Sequence, residues 1–105
     1  MPNIYGKLIV KAMNNDLCDD DLLSMNIRLI AIPLSYEIKG LTTAVGGWYQ
    51  IAINARIPLD QQWNSLVHEL AHIYLGHVSD DIKSVTQKEW EVDQLLETKN
   101  FCYVS

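Results

Sequence analysis

The sequence predicts an α+β fold, a small three-stranded sheet packed against helices. Three observations carry that expectation. Toward both ends of the chain apolar residues recur at spacings of three and four, as one face of a helix requires. In the middle, apolar and polar residues alternate between glycine turns, as a half-buried strand requires. Finally, 105 residues of which 49% are hydrophobic suffice for one core, so a single domain over 1–105 is expected.

The elements follow in order. Ile4, Tyr5, Leu8, Ile9, Ala12 and Met13 lie on one helical face, and Asn14 and Asn15 are stop signals. Asp19-Asp20-Asp21 invites a calcium reading, but the alternating ligands, central Gly and twelfth-position Glu of an EF-hand loop are missing. A solvated turn or helix start is the better account. Arg28 to Leu34 reads as a strand, kept toward an edge by Pro33. Gly40 and the Gly46-Gly47 pair place turns on either side of Leu41 to Val45. In Trp48 to Asn54, Tyr49, Ile51 and Ile53 alternate with Gln50, Ala52 and Asn54, giving another strand of an antiparallel or mixed sheet. Pro58 and Asp60 announce a helix whose apolar face is Trp63, Leu66, Val67, Leu70 and Tyr74, with Gly76 as its stop. A last helix begins near Thr86. Thr86 and Glu89 have capping-box spacing, and Val92, Leu95 and Leu96 form its apolar side.

Charge narrows the classes of partner. The net charge is -5 and the eight Lys and Arg are scattered, which argues against direct nucleic-acid binding and against acidic partners. No apolar run has the length of a membrane span, and no leader pattern precedes the first helix, so a cytoplasmic protein is expected. Cys18 and Cys102 lie near opposite ends and form no metal-spaced pair; reduced thiols are expected.

Chemistry concentrates in His68-Glu69-Leu70-Ala71-His72, an H-E-x-x-H pattern. Residues four apart share a helix face, so both imidazoles can reach one ion. Glu69 is rotated by about 100° from His68 and stands beside the metal instead of binding it. There it can accept a proton from a zinc-bound water attacking a peptide carbonyl.

A catalytic zinc keeps three protein ligands and an open position. The downstream candidates are His77, Glu89, Glu91 and Asp93. His77 does not fit the elongated H-E-x-x-H-x-x-G-x-x-H pattern, and on a continued helix it would face away from His68 and His72. A helix-terminus role, or support of a ligand, suits it better. Helical geometry does not separate Glu89 from Glu91. Glu89 has a competing task, closing the capping box with Thr86, so Glu91 is the preferred third ligand. Asp93 could orient a ligand histidine through its second ring N–H. For a developing oxyanion, Tyr49, Tyr74 and Tyr103 are the available phenols, Tyr74 reading as core. A free sheet edge could hold substrate as an added strand.

The stretch His-Glu-Leu-Ala-His-Ile-Tyr-Leu-Gly-His (68–77), with Glu91-Val92-Asp93-Gln94-Leu95-Leu96, resembles the ImmA/IrrE family of metallopeptidases. Its members carry H-E-L-x-H-x-x-L-G-H on one helix and E-A-N/D-x-F-A on the next. Here Val92 replaces the Ala, Asp93 holds the Asn/Asp position and Leu95-Leu96 stand for Phe-Ala. Gln50 to Asn54 is similar to the family's I-x-x-N strand.

The resemblance spans roughly Ile27 to Leu96. It implies a zincin-like H-E-x-x-H helix followed by a Glu-bearing helix, with zinc on His68, His72 and Glu91. It also implies a site-specific endopeptidase acting on a regulatory protein such as a transcriptional repressor, in a phage- or plasmid-linked setting. The alternatives are a non-catalytic, zinc-containing protein-binding or regulatory module and a zinc-free structural domain.

Overall fold

The chain alternates two short helices, three strands and two longer helices in the computed structural model, which describes residues 5–78 and 83–98. In chain order they are α1 (Tyr5–Met13), α2 (Asp19–Leu23), β1 (Ile27–Ile32), β2 (Gly40–Val45), β3 (Trp48–Asn54), α3 (Leu59–Tyr74) and α4 (Val85–Thr98). The α+β expectation holds, and the acidic run is indeed a helix start. The Asp21 carboxylate accepts the Cys18 backbone N–H at 3.2 Å, capping α2.

The sheet is mixed. Its order is β1-β3-β2, with β1 parallel and β2 antiparallel to the central β3. Gly46 and Gly47, at φ of +57° and +82°, make the two-residue turn joining β2 to β3. Two successive positive φ values suit the right-handed twist of a tight hairpin, and only glycine adopts them cheaply. β1 ends at Ile32, before Pro33, and is an edge strand as that proline requires. In register, Leu29, Ile51 and Thr42 form a row across one face of the sheet.

One apolar cluster joins the layers. Leu8, Ile9 and Ala12 of α1 gather with Leu66, Val67, Leu70 and Ile73 of α3, with Ile27, Ile51 and Ile53 of the sheet, and with Val92 and Leu95 of α4. Trp63 and Tyr74 flank this core, half-buried. The α3 stripe deduced from spacing is thus the face that α3 buries.

Two details bring the sheet to α3. A Cβ on Gly40 would stand 2.7 Å from the Ser65 Oγ and 3.1 Å from the Ala52 carbonyl oxygen, so glycine there permits close approach of β2 to the helix. Asn54, fully buried at the end of β3, uses its whole carboxamide. Its Oδ1 accepts from the Leu34 and Arg56 N–H groups, and its Nδ2 donates to the Ser35 and Ile38 carbonyls, all within 2.9–3.0 Å. This pins the loop between β1 and β2 to the turn that leads from β3 into α3.

Candidate metal centre

One helical turn of α3 sets His68 and His72 side by side, their Nε2 atoms 3.2 Å apart. From α4, the Glu89 Oε2 comes to 2.7 Å from the His68 Nε2 and 3.5 Å from the His72 Nε2. Two imidazole nitrogens and a carboxylate oxygen form a donor set that zinc accepts. Their triangle also has a suitable size: ligands about 2.0–2.2 Å from a tetrahedral ion stand about 3.4 Å from one another. Burial lowers the His72 pKa, opposed by the nearby Glu89 carboxylate, which favours the neutral imidazole that a metal requires.

Glu69 belongs to the same cluster, its carboxylate close to the two imidazoles. It is 7% exposed, and its Oε1 accepts a 2.7 Å hydrogen bond from the Thr42 hydroxyl on β2. Burial pushes the Glu69 carboxyl above the ordinary carboxylate range, while the Thr42 hydrogen bond and His68 oppose the rise. Thr42 was not legible as a site residue. Thr42 and Thr43 are adjacent in a strand, and only the pairing of β2 with β3 decides which of them faces α3.

Glu91, the expected third ligand, lies elsewhere. The structure brings Glu89 to the His68 and His72 nitrogens and directs the Glu91 Oε1 to the His77 Nε2 at 2.6 Å. The phase of α4 explains this. Val92 is its fully buried residue, and Glu89, three positions earlier, shares that face, whereas Glu91 is turned about 100° away. The capping argument against Glu89 also lapses. Ser84 caps α4, its Oγ accepting the Gln87 N–H at 3.1 Å, so Thr86 lies inside the helix and leaves Glu89 available.

His77 is 2% exposed and reaches back to His72, the two Nδ1 atoms 3.0 Å apart. A continued helix would have carried it away. Instead Gly76, at φ +73°, reverses the chain, with Gly76 N–H donating to the Ile73 carbonyl and His77 N–H to the His72 carbonyl. This terminal turn swings the imidazole under α3. Glu91, gripped by Gln87, Lys83 and His77 in that order of effect, is held at a pKa of about 2. Asp93, foreseen as orienting a ligand histidine, is exposed, and the side chain that stands at the His72 Nδ1 is His77.

Of the phenols, Tyr49 packs edge-on against Tyr5 and Tyr74 lies against the core, while Tyr103, like Cys102, falls outside the described residues. Cys18 is a free, exposed thiol.

A cleft of about 410 Å³ opens beside His68, lined by Glu37, Lys39, Gln61, Asn64, Ser65 and His68. A second hollow of about 180 Å³ lies between β1 and the start of α3, bordered by apolar residues and Gln62. It offers no titratable side chain.

Residues 23–101, well over half the chain, match the IrrE N-terminal-like domain, Peptidase_M78. The chain belongs to this peptidase family. The Peptidase_M78 match begins at the last residue of α2, so it takes in the sheet, α3 and α4 and leaves α1 outside. No curated protein and no solved structure matches the chain. No helix among the described residues is long and apolar enough to cross a membrane.

Proposed function

We propose that the chain is a zinc-dependent endopeptidase with His68, His72 and Glu89 holding the ion and Glu69 as general base. One observation carries this reading: three suitable donors from two helices converge on one point beside a buried carboxylate. A bound zinc ion would supply Lewis acidity, acidifying a water and polarising the scissile carbonyl.

The remaining work falls to the chain's own groups. Glu69 takes the proton of the attacking water and later delivers it to the departing amine nitrogen as the C–N bond breaks. Thr42, donating to Oε1, holds the carboxylate in one orientation and leaves Oε2 to carry the proton. The raised pKa of Glu69 brings a carboxylate closer to the neutral range in which a base must also release its proton.

Among the described residues β2 pairs with β3 alone, and it carries Thr42 beside the site. Its outer edge is a template for an extended peptide, with the polar cleft at His68 receiving side chains. The substrate we infer is a regulatory protein such as a transcriptional repressor, met in the cytoplasm of a cell carrying a mobile element. The acidic surface speaks against a direct nucleic-acid partner.

The test is a mass-spectrometric digest of a peptide library by zinc-loaded wild type and by Glu69→Gln. Wild type should generate cleavage products. The variant should keep about one zinc per chain and lose at least ~100-fold in rate, the scale of general-base catalysis. Equal products from both proteins would sink the mechanism. Zinc in both without products from either would favour the non-catalytic binding module, for which the packing of Tyr49 and Tyr74 against the core is the supporting observation.

A further inference from the structure

An imidazole that binds a metal through Nε2 carries its proton on Nδ1, and that N–H needs an acceptor. The usual acceptor is a carboxylate or a carbonyl. Around His72 it is a third histidine: the Nδ1 of His77 lies 3.0 Å from the Nδ1 of His72. Only one proton fits between two such nitrogens. If His72 supplies it, the His77 Nδ1 is bare, and a neutral His77 holds its own proton on Nε2. That nitrogen is 2.6 Å from the Glu91 Oε1. Glu91 is in turn fixed by Lys83 and Gln87, at 2.9 and 3.0 Å.

The chain of bonds therefore has one self-consistent assignment when the ion is bound. We propose that His77 is a positioning residue for the metal ligand His72, accepting its Nδ1–H and handing the constraint on to Glu91. The inference rests on the zinc reading of His68, His72 and Glu89. It explains two features which that reading leaves idle: a histidine only 2% exposed, and a second α4 carboxylate turned away from the ion.

The opposite assignment has a clear cost. If His77 donated from Nδ1, the His72 proton would sit on Nε2 and block ligation. A neutral His77 would then also present a lone pair to the Glu91 carboxylate at 2.6 Å. Water is a poor substitute at so buried a ring. The reversal at Gly76 is what aims His77 here, so the Gly-His pair after α3 works as a unit: glycine turns the chain and histidine braces the ligand.

The experiment has two arms. Long-range ¹H–¹⁵N NMR of the zinc-loaded wild type reads the tautomers without any substitution. His72 should be protonated on Nδ1 and His77 on Nε2 alone. A proton on the His77 Nδ1 overturns the proposal. In the second arm, Zn²⁺ affinity is measured by chelator competition for wild type, His77→Phe and His77→Asn. The Phe variant should bind about 10–100-fold more weakly, the range seen when the partner of a ligand histidine is removed. The Asn Oδ1 takes the place of the imidazole Nδ1, so His77→Asn should restore most of the affinity. Wild-type affinity in His77→Phe, or equal weakness in both variants, overturns the proposal while zinc binding by wild type leaves the metal centre standing. A wild type that takes up no zinc overturns both.

Discussion

Helix α3 meets α1 on one side and α4 on another, and the two seams are made of different materials. Toward α1 the contact is apolar, with Leu8, Ile9 and Ala12 buried in the same cluster as Leu66, Val67 and Leu70. Toward α4 the apolar support is Val92 and Leu95, and beside it run imidazole–carboxylate pairs: His68 and His72 with Glu89, His77 with Glu91. The first seam depends on area removed from water and is indifferent to ions. The second holds groups whose attraction depends on what occupies the space between them. Scaffold and site are thus divided along one helix.

The comparison is broken most severely on the apolar side. Ile9→Ala should cost about 2–5 kcal/mol, a drop in Tm of roughly 10–20 °C or more, and equally with zinc or with chelator. Thermal melts in both buffers check this; a loss that depends on zinc would erase the distinction between the seams. Next comes metal removal itself. At free zinc 100-fold above the dissociation constant, binding adds about 2.7 kcal/mol, which a chelator should take away. Hydrogen exchange should then rise first in α4, with α1 unchanged.

Smaller effects sharpen the picture. Glu89→Ala should weaken Zn²⁺ binding by about 100-fold or more, because it removes the donor proposed to touch the ion, and Glu91→Ala by about 10-fold. Chelator competition that ranks them in the reverse order would return Glu91 to the ion. The smallest effect belongs to Asp21, which ties α2 to α1 through a 3.1 Å bond to Lys11. Its pKa is lowered, first by the Cys18 backbone N–H and then by Lys11. Its contribution is therefore present above the unfolded value and is lost as pH falls through the lower folded value. Asp21→Ala should reduce Tm by no more than a few degrees at pH 7, and the gap to wild type should close in strong acid.

Local order in the sequence marked out what local order decides. His68 and His72 are four residues apart on a helix, and the stripe from Trp63 to Tyr74 fixed which face that helix buries. Ile and Leu richness ahead of Pro33 marked the first strand, glycine turns the second and alternation the third. What escaped depends on groups distant in sequence or on a cap decided by one residue. That Glu89 and not Glu91 stands beside His68 and His72 depends on Ser84, and not Thr86, capping α4, and on how α4 is rotated against α3. His77 was expected to face away because a helix was extended past Gly76, although the glycine itself marked the reversal. Thr42 became visible only through the register of β2 on β3.

Asn54 carries a consequence for the ageing of the protein. Its socket offers two N–H donors and two carbonyl acceptors, and only a carboxamide answers all four. Deamidation would exchange a single NH₂ for oxygen and set a carboxylate against the carbonyls of Ser35 and Ile38. The loop that carries Glu37 and Lys39 to the rim of the cleft would lose its anchor, with every residue of the metal centre still chemically intact. A protein so altered would keep the proposed metal ligands and yet lose the shape of the cleft rim.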